Sequence, residues 1–480
     1  MYCNTESLWY SQWRLRILGK KFRDYDPNQL ILLPPGLNEW LPDGHLANFV
    51  SDVVDHIDIS IITKQYEQEL RGFPPYHPAM LLKILVYAYC TGMYSSRKIA
   101  KACQDVVAFR VLSANQFPDF RTISDFRKRH LVTFKELFLE VLKIAQHAGM
   151  VKLGHVSLDG SKIRANASKH KAMSYERMKQ QEQRLRQEIA ELTQQAERTD
   201  HSEDKKYGNT MGDELPEELA RRETRLAKIQ EAMSSLEKEA KERVEQQQQK
   251  DEQQDKKDDD NGPTNQTGAR KRGRPRKESH LAGVPEDKAQ RNFTDPESRI
   301  MKSKDGFIQA YNVQAVVDEE YQIIVATDVI DHTNDHGVLR TMVEMTAENT
   351  KATMHKISCD AGYFAEDDVT WLQEKEIDPY IATGRQKHNE VPESPRGRIP
   401  KHYTIKQRMT RKLKTKKGRA VYARRKAIVE PVYGQIKGCR RFDQFSLRSL
   451  EKVRGEWSLV TMCHNLLKIF KYGHINWATC

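Results

Sequence analysis

The sequence predicts an α/β protein in which a mixed sheet core, with helices on its faces, follows an all-α N-terminal segment and is interrupted by a long helical insertion. Three observations carry that expectation: helical periodicity from about residue 77 to 150, strand-like alternation around residues 151–170 and 306–330, and heptads over 174–240. A length of 480 residues makes two to four domains the natural expectation. With glycine counted in place of tyrosine the apolar share is about 39%, below the usual range, so some part of the chain is unusually polar. No apolar run reaches the ~18–20 residues of a membrane span, and the stretch Met80–Met93 is broken by Lys83. The start MYCNTESLWYSQW lacks the pattern of a secretory signal, which points to the cytoplasm. Seven scattered cysteines without a CxxC pair read as reduced and mostly buried.

The N-terminal segment, 1–150, reads MLLKILVYAYC, then SSRKIAKACQ, then TISDFRKRHLVTFKELFLEVLKIAQHAG, which is at least three packed helices. In the last, Thr122 and Asp125 have capping-box spacing, Phe134, Leu137, Phe138, Val141, Leu142 and Ala145 form an apolar face, and Gly149 stops the helix. Arg127, Lys128 and Arg129 near its start suit either the second helix of a helix-turn-helix entering a major groove or the solvated face of an ordinary bundle.

Residues 151–173 begin the sheet: HVSLDGSKIRANAS alternates around Asp-Gly, the pattern of two short strands joined by a turn. The insertion follows. Tyr175, Met178, Leu185, Ile189, Leu192 and Ala196 form one heptad seam, and Leu219, Leu226, Ile229, Met233, Leu236 and Ala240 form another. With GNTMGDELP between them, and Asp213 and Pro216 suited to a helix start, 174–240 predicts an antiparallel coiled-coil hairpin. Residues 241–290 are so poor in apolar side chains that a disordered linker is expected. Core strands resume with GFIQAYNVQAVVD and YQIIVATDVI, a helix begins near Asp335, and HKISCD, AEDDVTWLQEK and DPYIAT supply strand, helix and strand before the helical C-terminus to 471. The core is therefore split, 151–173 and 291–471.

Net charge is +12, but residues 396–471 alone hold 22 Lys or Arg against Glu430, Asp443, Glu451 and Glu456, a local charge of +18. Lys412, Lys414, Lys416 and Lys417 lie in the densest run, with enough cations to neutralise several phosphates of a nucleic acid. A second cluster in the linker, with Arg272, Arg274 and Arg276 around Gly-Arg-Pro, resembles an AT-hook that enters an A·T-rich minor groove, although short basic runs also occur in linkers without binding.

Three acids stand apart. Asp159 follows His-Val-Ser-Leu, and Asp360 follows Ile-Ser-Cys, each read as the end of a strand, where ligands of α/β sheets lie. Glu430 is the single acid of a basic helix over roughly 420–438, beside Arg424, Arg425 and Lys426. Converging carboxylates require a cation, and hard oxygen donors select Mg²⁺ or Mn²⁺; two such ions can serve both sides of a phosphodiester in phosphoryl transfer. Taken singly, the same residues also suit a turn, a helix cap and a salt-bridge partner.

The segments SLDGSKIRANAS, YNVQAVVD, ISCDAGYFAEDDV and RRKAIVEPVYGQIKGCRRF resemble the DDE transposases of bacterial insertion sequences, in the branch with an InsH-like helical N-terminal domain. The resemblance runs from about residue 77 to 471. It implies a ribonuclease-H-like core, two divalent ions, and cleavage and strand transfer at the ends of a DNA element by Asp159, Asp360 and Glu430. The related signature Tyr-(2)-Arg-(3)-Glu-(6)-Lys is kept in part: Lys437 is correctly spaced from Glu430, while Lys426 fills the Arg position and Ala423 the Tyr position, with Tyr422 and Arg425 each one residue out. Lys437, Lys426 and Arg425 thereby become candidate phosphate contacts. The expected partner is double-stranded DNA, bound by a homodimer, in the cytoplasm and at the nucleoid. Two alternatives remain at this stage: a nuclease or resolvase of the same fold that does not join ends, and an architectural DNA-binding protein with an inert core.

Overall fold

The computed structural model describes residues 36–67, 75–207, 217–259, 283–303, 306–384, 394–400 and 402–474, with side chains of 38, 67, 195–207, 217–220 and 246–259 left aside. Two compact units are separated, Met1–Trp40 and Leu41–Cys480. Of the first, a short 3-10 turn, Leu37–Trp40, is described.

The second unit opens with helices α1 (Leu46–His56), α2 (Ser60–Glu67), α3 (Pro78–Cys90), α4 (Ser96–Asp105), α5 (Val107–Leu112), α6 (Phe120–Arg129) and α7 (Thr133–His147). Helix α3 starts where His77 accepts the Ala79 N–H at 3.2 Å and Pro78 supplies a helical φ without needing a donor. It is buried almost all round because it lies inside the core. The expected long helix from Thr122 is instead the pair α6 and α7, and its cap is Asp119, whose carboxylate accepts the Arg121 N–H at 2.8 Å. Thr122 and Asp125 lie within α6, so spacing alone misplaced the start.

Next come β1 (Val156–Arg164), β2 (Ala172–Ser174), α8 (Tyr175–Tyr207), α9 (Glu217–Asp259), β3 (Gln290–Asn292), β4 (Arg299–Ser303), β5 (Gly306–Asp318) and β6 (Ile324–Ile330). Asp159-Gly160 is no turn: β1 runs unbroken and pairs antiparallel with β5 throughout. Gly160 answers to crowding, since a Cβ there would lie 2.6 Å from Gln314 Nε2 and 2.9 Å from Asn312 Oδ1.

Helices α8 and α9 run antiparallel, as the pairs Tyr175 to Glu237, Glu182 to Gln230 and Glu188 to Arg222 require. Tyr175, Met178, Leu185, Ile229, Ala232 and Leu236 form their shared core, separate from the main one. Their turn, including Asp213 and Pro216, lies outside the described residues. Disorder from residue 241 is overturned for its first part: α9 continues to Asp259, in a run of Glu, Lys and Gln that are good helix formers and pair one turn apart, as Lys238 with Glu242 and Glu239 with Arg243. Strands β2 and β3 pair with Ala172 opposite Asn292, so the insertion leaves and returns at one place.

The chain ends with α10 (Val338–Thr350), β7 (Lys356–Cys359), α11 (Glu366–Glu374), β8 (Asp378–Ile381), α12 (Ile405–Lys414), α13 (Lys416–Tyr433) and α14 (Leu450–Tyr472). The main sheet runs β4-β5-β1-β7-β8, with β6 also on β5. Strands β4, β5, β6 and β1 are antiparallel, and β1, β7 and β8 are parallel, giving a mixed sheet. One continuous core joins this sheet to the N-terminal helices. Buried Glu456 of α14 fastens them, accepting from Tyr89 Oη at 3.2 Å and from the Ser446 and Leu447 amides. Among the described residues no helix is long and apolar enough to cross a membrane. Of the described cysteines, Cys90, Cys103, Cys359 and Cys463 are buried, Cys439 is exposed, and all five are free thiols.

Candidate active site

The parallel ladder between β1 and β7 ends at Leu158 opposite Cys359, so the next residues, Asp159 on β1 and Asp360 just past β7, follow it side by side. Asp360 lies just past the end of β7 and is exposed, its carboxylate accepting the Ala361 N–H at 2.8 Å, so it also caps the turn Ala361–Tyr363. Asp159 does not end its strand; it stays in the β1–β5 ladder opposite Ala315. Tyr433 Oη donates to its backbone carbonyl at 2.8 Å and the Gly160 N–H to its Oδ1 at 2.9 Å. Burial lifts the Asp159 carboxyl to about 6 against the pull of Arg425 and Gly160, with nearby Asp360 and Asp335 adding to the rise.

Glu430 is exposed on α13, five residues after Arg425. The helix passes Pro431, which cannot donate to the Ala427 carbonyl; Gln322 Nε2 fills that gap at 2.9 Å. Beyond Tyr433 the chain widens into a π turn, Gly434–Cys439, instead of continuing the expected α-helix to 438. Lys437 sits in that turn, donating to Ser161 Oγ at 3.1 Å and to the Lys162 carbonyl at 2.9 Å, and so braces β1.

Arg425, a candidate phosphate contact by sequence, is instead turned inward onto Asp159. Its side chain is 9% exposed and donates from Nη1 to Asp159 Oδ2 at 2.9 Å. Burial acts to lower it, but Asp159, Tyr422, Asp360 and Glu430 together hold it above the usual arginine value. One guanidinium thus feels all three candidate acids.

A fourth acid, Asp335, escaped the sequence reading. It accepts from Asn312 Nδ2 at 2.8 Å and Gln314 Nε2 at 2.9 Å, and its carboxylate comes so near β1 that a Cβ on Gly160 or Gly362 would lie 3.0 Å away. The signal was present in YNVQAVVD, where two amides in an otherwise apolar strand called for a polar partner.

The donors are hard oxygens, and Asp159 is a desolvated carboxylate, chemistry that suits a divalent cation. Among the described residues no three His, Cys, Asp or Glu side chains stand close enough together to hold one ion, and it is Arg425 that contacts Asp159.

The other proposed DNA contacts divide by burial. Arg127 is buried, donating to Tyr89 Oη at 3.1 Å and the Tyr94 carbonyl at 2.8 Å, because it shares the inward face of α6 with Ile123 and Phe126; it cannot meet DNA there. Lys128 and Arg129 are exposed, the first near Asp125 at 3.6 Å and the second over the Tyr66 ring. Lys412 lies over the Tyr380 ring at 4.0 Å and donates to Asp378 and the Pro379 carbonyl, so it belongs to the β8 face and not to an open basic run. Lys414, Lys416, Lys417 and Lys426 are exposed. Arg272, Arg274 and Arg276 lie outside the described residues.

Two family models match the chain: one described as "Transposase domain (DUF772)" over residues 36–129, and one described as "Transposase DDE domain" over residues 279–466. The second includes Asp335, Asp360 and Glu430, while Asp159 falls between the two matched stretches and joins the others through the sheet register. No curated protein and no solved structure matches the chain.

Proposed function

This chain belongs to the DDE transposases, metal-dependent polynucleotidyl transferases, and we propose that it is the transposase of a bacterial insertion sequence, which binds the ends of its own element, cuts them and joins them to a target. The observation that carries this reading is the register that sets Asp159 beside Asp360, with Arg425 of the Glu430 helix bonded to Asp159. The strand order β6-β5-β1-β7-β8, three antiparallel strands followed by two parallel ones, supports a ribonuclease-H-like core.

Asp159, Asp360 and Glu430 are the proposed catalytic triad and would hold two Mg²⁺ or Mn²⁺ ions once Arg425 gives up its contact with Asp159 and the three carboxylates draw together. When bound, the ions supply Lewis-acid polarisation of the scissile phosphate. The chain's own residues prepare that place. Tyr433 and the β5 ladder fix the backbone of Asp159, Lys437 fixes β1 beyond it, and Arg425 favours the ionised form of Asp159, the form that would ligate a metal. Lys414, Lys416, Lys417 and Lys426 hold the DNA backbone, as do Lys128 and Arg129 of the N-terminal DNA-binding domain, and the protein works as a homodimer on DNA at the nucleoid. Residues 174–240 form the coiled-coil insertion.

Incubating the protein with Mn²⁺ and duplexes carrying the sequences that flank its own gene should give cleavage at both ends and joined products. Cleavage without joining would make it a nuclease, and DNA binding without cleavage would make it architectural.

A further inference from the structure

At the base of the inserted hairpin, where β2 and β3 meet α9, lies a groove of about 430 Å³ that plays no part in the site above. Lys171, Arg225 and Lys228 line it with the His170 imidazole, over a floor that includes Ile229 and Phe293, and its lining contains no acid. Arg225 and Lys228 stand three apart on α9 and so share one face. All three cations are exposed, and among the described residues no carboxylate pairs with any of them, although elsewhere on the hairpin Arg184, Arg186 and Arg222 each have one. Three like charges gathered over an apolar floor repel one another unless an anion joins them.

We propose that this groove is a second DNA-backbone site, in which Lys171, Arg225 and Lys228 take consecutive phosphates while the apolar floor packs a deoxyribose. The proposal rests on the chain acting on DNA, but not on the triad. Reach agrees with it: Lys171 follows Asp159 by twelve residues, at most roughly 40 Å of chain, or about 12 base pairs of duplex. If the cleavage point lies at Asp159, the groove is within reach of the same duplex, and the insertion would clamp the element end; the salt dependence of binding does not rest on that point.

The test uses the full-length protein and a 30-base-pair duplex, measuring affinity against salt for the parent, for K171Q/R225Q/K228Q and for the charge-preserving K171R/R225K/K228R. Each lost phosphate contact removes about 0.9 from the slope of log K against log salt. The Gln variant should flatten the slope by about 2–3 and the charge-preserving one should keep it. A Gln variant with the parental slope overturns the groove, as does equal loss in both variants, which would mark a purely structural role. Tighter DNA binding by the Gln variant would mean that the groove holds an acidic segment of the protein itself, and also overturns it. A parent that binds no duplex removes this proposal together with the proposed function, whereas a parent that binds and cleaves while the Gln slope is unchanged removes this one alone.

Discussion

Arg425 Nη1 lies 2.9 Å from Asp159 Oδ2, and this contact joins the helix that carries Glu430 to the strand that carries the first acid of the site. Both partners are largely buried, at 9% and 22% exposure, so each depends on the other for its charge.

Replacing Arg425 with Met leaves the Asp159 carboxylate without its counter-ion. Breaking a buried pair costs about 3–5 kcal/mol, reduced here because Asp159 can take up a proton. The Asp159 carboxyl already stands at about 6, raised by burial, and losing Arg425 raises it further. A raised carboxyl is neutral in the fold at low pH, so the loss should be largest near pH 8 and shrink toward pH 5. Denaturant unfolding at the two values checks this, and the added substitution Asp159→Asn should restore most of the lost stability at pH 8. A loss larger at pH 5 than at pH 8 is incompatible with the pairing.

On the proposed reading, Asp159→Asn, Asp360→Asn and Glu430→Gln should each abolish DNA cleavage and leave DNA binding nearly intact, because it gives the acids metal and the exposed lysines phosphate, which are separable tasks. Any one of these variants that cleaves within threefold of the parent removes that residue from the triad.

Sequence legibility followed periodicity. The paired strands β5 and β6, the sequence β7, α11, β8 and the two hairpin helices were readable because apolar spacing is imposed by burial on one face. Asp159-Gly160 misled because Asp-Gly marks a turn only when the glycine needs a turn conformation; here it gives room to Gln314 and Asn312. Arg127, Arg425 and Lys412 misled for a shared reason: a basic run has no visible inside, and which cation turns inward depends on acids and rings distant in sequence, Glu456 by way of Tyr89, Asp159, and Asp378 with Tyr380. Asp335 was missed because its partners lie on another element.

The basic run should therefore behave unevenly. Replacing Lys414, Lys416 and Lys417 with Gln should flatten the salt dependence of DNA binding by up to about 3 units, at roughly 0.9 per phosphate. Lys412→Gln should leave that slope unchanged and instead lower the thermal midpoint, since it strips the contact with Asp378 and the Tyr380 ring. A salt slope that responds to Lys412 and not to the other three would reverse the assignment.

His130 is fully buried between Phe126 and Tyr66, its Nδ1 has no hydrogen-bond partner among the described residues, and burial with neighbouring Arg129 pushes its imidazole down to about 4. The unfolded chain binds a proton near pH 6.5 and the folded chain only near 4, so stability is full above about 6.5 and falls as pH drops between those values, by up to about 3 kcal/mol. His130→Phe, similar in shape and unable to titrate, should flatten the unfolding free energy across that window. A parental pH profile in the variant would locate the acid sensitivity elsewhere.

The insertion should be removable. Ser174 and Gln290 are direct partners in the β2–β3 ladder, so their Cα atoms stand about 5 Å apart and a short Gly-Ser linker can replace everything between them. The hairpin core is separate from the main core, which argues that the sheet and the N-terminal helices fold without it. One attachment opposes this: Glu239 of α9 pairs with Arg291 and Arg299, and Arg291 is 9% exposed, so deletion leaves an arginine that has lost its acid. That arginine becomes solvated once the hairpin is gone, and the cost should be modest. The shortened protein should stay soluble, unfold in one cooperative transition and bind DNA more weakly, having lost Arg225 and Lys228 of the basic groove and the Arg-Gly-Arg-Pro segment. An insoluble product, or one without a cooperative transition, would show that the hairpin belongs to the core.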